Sequence, residues 1–346
     1  MLRRLIALVL AAVAAAVGAW QWADYQLRRP LAIAPAAEVL VVEKGESLSH
    51  LSARLSADGI LSYALPLRLY VRFTGRQRIR SGDYLLMPGD SALDLLGKLE
   101  RGDVIRYSVT FPEGWTLAQW RALLAKERLL VPATRDLDSA ELAADLGIDA
   151  ANPEGWFSPN TYFFAAGDTD RDILERACRR QRELLERLWR DRAGDLPYAD
   201  PYQALIAASI VERETGLAAE RPQIAGVLVR RLRMGMRLQT DATVIYGLGA
   251  RYEGKLSRAH LDEANDYNTY MIDGLPATPI ANPGDAALYS ALHPAAGDAL
   301  YFVARGDGSH EFSATLEAHQ RAVRRYQVHR AADYRSTPQP PRDGAP

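Results

Sequence analysis

The stretch Leu5–Trp22 (LIALVLAAVAAAVGAWQW) runs for 18 residues without a charge, with Arg3 and Arg4 before it and Asp24 after it. A helix of that length just crosses the hydrocarbon core of a bilayer, and it has no polar face of the kind that marks a helix half-buried in a soluble core. Small residues at Ala14, Ala15, Ala16, Gly18 and Ala19 also suit a cleaved signal peptide. The length, with Trp20 and Trp22 at the far end, favours an uncleaved single-pass anchor. The arginines then keep the short amino terminus in the cytoplasm and place everything from about residue 25 outside. Charge divides at the same point. Residues 1–30 hold four arginines against Asp24, a formal +3, so the remaining 316 residues carry −1 − 3 = −4. An acidic body lacks the basic footprint that nucleic-acid binding requires.

The 346 residues suffice for two domains beyond the anchor. With 48% hydrophobic and 25% charged residues, the body is neither disordered nor a bundle of membrane spans. Cys178 is the lone cysteine, which excludes an internal disulfide or a thiolate metal cluster. We divide the chain into a stub and anchor (1–30), a linker (31–38) where Pro30 and Pro35 stop the helix, two folded parts (39–104 and 105–335) and a proline-rich tail (336–346) expected to be disordered. The first folded part repeats itself at a spacing of 44: Gly45, Glu46, Ser47, Leu51 and Leu55 return as Gly89, Asp90, Ser91, Leu95 and Leu99. Each copy follows a short apolar run, Val39–Val42 or Tyr84–Met87, and predicts strand, glycine turn, serine cap and amphipathic helix. This shape resembles a LysM-like glycan-binding module.

The second part opens with a helix expected near Leu117–Leu130 and an aromatic cluster in Glu154–Tyr162 (EGWFSPNTY), a composition typical of packed loops and also of sugar platforms. A helix follows Thr169, its stripe formed by Ile173, Leu174, Ala177, Gln181, Leu184, Leu185 and Leu188. The next apolar run, Ala204–Val211 (ALIAASIV), has no polar face and predicts a helix buried on all sides. It ends in Glu212, Arg213, Glu214, Thr215 and Gly216. Glu214 follows Ile210 by four residues and Glu212 follows Ala208 by four, so both carboxylates leave apolar stripes, on different sides. At the carboxyl end of a helix, burial and the helix dipole both favour the protonated form. Two readings stand on residue chemistry alone: a general acid of the kind glycoside cleavage needs, or glutamates paired with Arg213, Arg230, Arg231 or Arg233.

At these residues the chain resembles a known family. Ala208–Thr215 (ASIVERET), Arg237–Asp241 (RLQTD), Tyr267–Tyr270 (YNTY), Gly274–Pro276 and Pro279–Gly284 (PIANPG) are similar, in order, to motifs of the membrane-anchored endolytic murein transglycosylases of the MltG (YceG-like) family. Ala242 and Ala277–Thr278 depart from the proline or glycine common there. The resemblance implies a peptidoglycan lytic transglycosylase, a lyase that cuts nascent glycan strands to leave 1,6-anhydro-N-acetylmuramoyl ends. It also implies work beside peptidoglycan synthases.

Carried over by motif, Glu214 is the catalytic acid and base and Glu212 a supporting acid. Arg231, Gln239, Asp241, Tyr267, Asn268, Thr269, Tyr270, Asn282 and His310 are the expected substrate-binding residues. One prominent carboxylate suffices in such an enzyme because the muramoyl 6-hydroxyl replaces the water that a second carboxylate would activate. A noncatalytic peptidoglycan-binding scaffold and a hydrolytic muramidase are the competing classes. The histidines (His50, His260, His293, His310, His319, His329) lack ligand spacing, so neither metal nor cofactor is expected. The expected fold class is α+β: one transmembrane helix, a LysM-like α/β subdomain and a mixed α+β catalytic domain.

Overall fold

A computed structural model describes residues 2–33 and 36–328; the expected tail at 336–346 and His329 lie outside them. Among the described residues the fold mixes helices with three two-stranded sheets, each formed by two strands that are consecutive in the chain order of strands. The described residues form two compact units, one within positions 2–108, 128–131 and 163–169, the other within positions 109–127, 132–162 and 170–328.

The first unit starts with α1 (Leu2–Arg28), whose most apolar 18-residue window has a mean hydropathy of 2.0 and is fully unburied. It is long and apolar enough to cross a membrane. Pro30 bars its continuation, yet the chain is not released there. Leu27 and Leu31 are buried in the core, and the Leu31 and Ala32 amides donate to the carbonyls of Asp90 and Ile60. The start of the expected linker is therefore tied down.

Next come β1 (Glu38–Val42), α2 (Leu48–Ala57), α3 (Ala64–Thr74), β2 (Gly82–Leu86) and α4 (Ala92–Arg101). β1 and β2 pair antiparallel from Glu38↔Leu86 to Val42↔Gly82. The repeat at a spacing of 44 has a physical basis here. Ser47 caps α2 by accepting from the His50 amide, and Ser91 caps α4 in a reciprocal box with Asp94. The matched leucines Leu51, Leu55, Leu95 and Leu99 are all 0% exposed and build the core. Helix α3 had no counterpart in the sequence reading; it follows α2, so the first five elements after α1 run β–α–α–β–α.

The two units each take half of β3 (Tyr107–Thr110) and of β4 (Thr161–Phe164); the second also holds α5 (Leu117–Leu124), α6 (Ser139–Asp145), α7 (Asp170–Arg190), α8 (Pro201–Glu214), α9 (Arg221–Arg233), α10 (Asp241–Leu248), α11 (Arg258–Asp262) and α12 (Asp285–Leu292). A hairpin of β5 (Tyr301–Ala304) and β6 (His310–Ser313), then α13 (Leu316–Val323), complete it. Helix α5 is shorter than expected because the Lys126 and Glu127 amides turn back onto Leu123 and Leu124. On α7, Ile173, Leu174, Ala177, Gln181, Leu184 and Leu185 are buried as the stripe required, and Leu188 is half-buried at its end.

Helix α8 is the hub. All eight residues of Ala204–Val211 are buried, and α7, α9, α10 and α12 pack around it. The one polar residue in the run is satisfied, since Ser209 donates to the Ile206 carbonyl and accepts from the Ile280 amide. The Glu154–Tyr162 segment is packed rather than offered to solvent: Phe157 is fully buried against Trp120, which stacks on Phe111 at 3.8 Å. Gly155, at φ +82°, admits no side chain, because a Cβ would lie 2.5 Å from Pro279.

Candidate active site

Nothing continues α8 past Glu214. Thr215 adopts an extended conformation, its hydroxyl accepts from the Leu217 amide, and the chain turns away. This leaves the last side chain of a buried helix at the edge of the core. A cavity of about 640 Å³ opens there, lined by Glu214, Arg231, Leu238–Asp241, Tyr270, the β5 residues Tyr301–Ala304, His310, and Leu316, His319, Val323 and Gln327. Six of the expected site residues meet in it: Glu214, Arg231, Gln239, Asp241, Tyr270 and His310.

The Oε1 atom of Glu214 is shut from water and has no hydrogen-bond partner among the described residues. Its carboxyl is pushed up to about 7, first by burial and then by the negative charge of Asp241, against the opposing pull of Arg213 and Arg231. None of the four arginines considered as partners makes an ion pair with either glutamate. Arg213 and Arg230 donate to backbone carbonyls, and Arg233 pairs with Asp195. Arg231 is held by the carbonyls of Leu300, Arg237 and Leu238 and lies over the Tyr301 ring, so it braces the cavity wall while adding positive potential.

Glu212, two residues earlier, has a different environment. One carboxyl oxygen accepts from Arg221 at 3.0 Å and the other from the Gly284 amide at 2.9 Å, so it clamps α8 to the start of α9 and to the loop before α12. Burial raises its pKa too, with the Gly284 bond and Arg221 opposing. It does not line the cavity.

The opposite wall depends on a loop with little freedom. Gln239 is exposed and sits at φ +52°, a left-handed conformation costing about 1 kcal/mol or more for a residue with a side chain. Thr269 holds it there: the Gln239 amide donates to the Thr269 carbonyl, and the Thr240 amide to the Thr269 hydroxyl, which also bonds Thr243. Asn268 is fully buried. Its amide donates to the carbonyls of His260, Leu261 and Glu263, and its oxygen receives the Tyr270 amide. Tyr270 is thereby aimed, and its hydroxyl donates to Asp241 at 2.7 Å.

Tyr267 packs edge-on against Tyr246 and bonds Thr278. Asn282 is also fully buried, bonded to Phe157, Trp115 and Glu154. Glu212, Tyr267, Asn268, Thr269 and Asn282 thus do not line the cavity; Asn268 and Thr269 brace the loop segments that do, and the whole of Pro279–Gly284 is buried.

Two contacts made by the wall histidines carried no sequence signal. Glu220 accepts from the His310 amide at 2.9 Å and lies 2.7 Å from His310 Nδ1. An ionised carboxylate only accepts, so Nδ1 carries the proton and Nε2 is the acceptor in a neutral ring. His319 stacks on Tyr301, and burial, aided by Arg231, depresses its pKa. Both contacts bridge segments about 20 to 90 positions apart, which no local pattern announces.

A second buried carboxyl, Glu154, is also pushed up to about 7 by burial. Its oxygens are filled by the Leu117 amide, the Tyr246 hydroxyl and the Asn282 amide.

The chain can be compared with known proteins on this basis. An endolytic murein transglycosylase of Bacillus subtilis (strain 168) is 28% identical over 303 residues, covering 82% of this chain and 83% of that protein. One from Streptococcus pneumoniae (strain R6) is 25% identical over 324 residues, with 82% of this chain and 57% of that protein covered. The crystal structure of a YceG-like protein from Listeria monocytogenes matches with a TM-score of 0.52 at 28% identity, over 83% of this chain and 99% of that one. The family model described as the YceG-like family matches residues 40–325, from β1 of the first unit through the helix that closes the cavity, and the chain belongs to that family.

Proposed function

We propose that this protein is a membrane-anchored endolytic lytic transglycosylase that cuts the β-1,4 bond between N-acetylmuramic acid and N-acetylglucosamine in nascent peptidoglycan. The observation that carries this reading is the Glu214 carboxyl: unpartnered at Oε1, raised to about 7, and opening onto a cavity. A carboxyl half-protonated near neutrality serves as acid and then as base. Protonated Glu214 donates its proton to the glycosidic oxygen as the bond from muramoyl C1 to that oxygen breaks. The 6-hydroxyl oxygen of the same sugar then bonds to C1, and its proton returns to Glu214. No water is consumed, and the nucleophile is held by its own ring. Arg231 and Gln239 with the Tyr270–Asp241 pair supply donors and acceptors for sugar hydroxyl and acetamido groups, while Tyr301, Phe302 and His310 add ring surface.

In this reading α1 spans the membrane and leaves the chain from about residue 25 onward on its periplasmic side. The β1–α2–α3–β2 arrangement supports a LysM-like role in gripping glycan. Partners would be glycan strands and, as the family resemblance implies, peptidoglycan synthases. The names of the Bacillus and Streptococcus relatives support the same activity. The test is end-group chemistry. Uncrosslinked glycan strands treated with the full chain in detergent should yield 1,6-anhydro ends by mass spectrometry, and Glu214→Gln should abolish them. Reducing ends carrying solvent oxygen would establish a muramidase instead, and intact strands with retained binding a scaffold.

A further inference from the structure

Residues 59–82 carry Arg68, Arg72, Arg76, Arg78 and Arg80 and not one Asp or Glu, a formal +5 inside a body whose total is −4. This run contains α3 (Ala64–Thr74), and α3 wears its apolar residues on the wrong side for a soluble protein. Pro66, Leu67 and Val71 are buried, but Leu65 is 58%, Leu69 41% and Phe73 82% exposed. At four-residue spacing these three form one row along the helix. Arg68 and Arg72 border that row, and with Arg78 they line a groove of about 770 Å³ beside it. The acidic groups nearby are already occupied: Glu46 in the groove pairs with Arg54, Glu100 with Arg76, and Asp24 of α1 with Arg28.

The other side of the row meets α1. Ala16, Ala19 and Trp20, all within the charge-free run, share a second cavity with Pro66, Leu69, Tyr70 and Phe73. Trp22 contacts Tyr63, the residue that precedes α3, with ring centroids 5.3 Å apart. If the charge-free run of α1 lies in the hydrocarbon, α3 is held at the depth where that run emerges.

We propose that α3 is a second membrane element, lying in the interface with Leu65, Leu69 and Phe73 among the acyl chains and Arg68, Arg72 and Arg78 on the phosphates of anionic phospholipids. Helices that lie in the interface have this form, an apolar face bordered by cationic side chains able to snorkel to the headgroups. An anionic polymer in solution would use the arginines and leave the apolar row in water. The inference rests on α1 being a membrane anchor, and the two are separable by experiment.

The full chain in a Cys178→Ala background, with NBD attached at Leu69→Cys, Phe73→Cys or Ala14→Cys, is reconstituted into vesicles of phosphatidylcholine with phosphatidylglycerol. Free NBD-cysteine in buffer is the water reference. The labels at 69 and 73 should emit to the blue of that reference and be quenched by lipids doxylated near the headgroup; the label at 14 should be quenched by lipids doxylated deep in the chain. Labels at 69 and 73 that match the water reference while 14 is quenched overturn the α3 proposal and leave the anchor standing. An unquenched label at 14 overturns the anchor itself. The blue shift at 73 should shrink in pure phosphatidylcholine, and also in Arg68→Gln/Arg72→Gln/Arg78→Gln. A shift that ignores both changes refutes the phosphate contacts. The same shift produced in detergent by inorganic phosphate alone would refute a bilayer as the occupant.

Discussion

Glu154 and Glu214 have nearly the same acidity and opposite surroundings. Each is a buried carboxyl raised to about 7 by loss of water. Around Glu154 the protein has replaced the lost water with the Leu117 amide at the start of α5, the Tyr246 hydroxyl and the Asn282 amide, so the group knits three segments together. Around Glu214 it has not: among the described residues the buried Oε1 has no partner, and the same side chain lines a cavity. The lesson concerns what marks a reactive group. A displaced pKa reports burial, which structural and catalytic carboxyls share. An unmet buried oxygen on a side chain that lines a cavity is what separates them, since folding leaves such an atom only at a cost that something else must justify.

The sharpest attempt to break the comparison is Glu214→Gln. Glycan cleavage should fall by about 10²–10⁴-fold, the usual worth of a general acid or base, while the unfolding midpoint in denaturant holds or rises. A variant that still cleaves normally would end the distinction. Glu212→Ala should act in the opposite sense, through stability. It strips a buried partner from Arg221 and an acceptor from the Gly284 amide, and the loss should approach about 3 kcal/mol in equilibrium unfolding.

Glu154→Ala should cost about 1–3 kcal/mol by stranding the Leu117 amide. Turnover per folded molecule should be retained; its collapse in a protein that unfolds normally would move Glu154 into the chemistry.

Acidity gives subtler effects. Folding holds both carboxyls above the ordinary glutamate value of 4.5. Their stabilising contribution is therefore full below about 4.5 and is lost as the pH rises through about 7. Denaturation followed across that window should show stability declining, with Glu214→Gln and Glu154→Gln each flattening part of the slope. Turnover should fall above about pH 7 as Glu214 loses its proton; a flat rate to high pH would exclude it as the acid. The smallest change is expected from Asp241→Asn. Removing that charge should lower the pKa of Glu214, moving the alkaline limb of the rate profile to lower pH.

Features written within one helix or one repeat were legible before folding. The charge-free run gave α1, the spacing of 44 gave both strand–turn–cap–helix copies, and the unbroken apolar run gave the buried α8. All three depend on residues close in sequence, where periodicity and capping act directly. The sites of Asn268, Thr269 and Asn282 were legible only as positions. Their motifs resemble the family's, but whether a side chain faces the cavity or ties the chain behind it depends on partners such as the carbonyls of His260 and Leu261 or the amide of Phe157.

The sequence by itself determined that two glutamates would stand at the end of a buried helix, on different sides of it. Tertiary structure decided between them. Arg221 and the Gly284 amide arrive at one side and satisfy Glu212, whereas the hairpin β5–β6 and the loop at Gln239 stand back from the other and leave Glu214 facing a cavity. The reason is that a helix fixes the direction of each side chain, through its 100° step, but what meets that side chain comes from segments far along the chain.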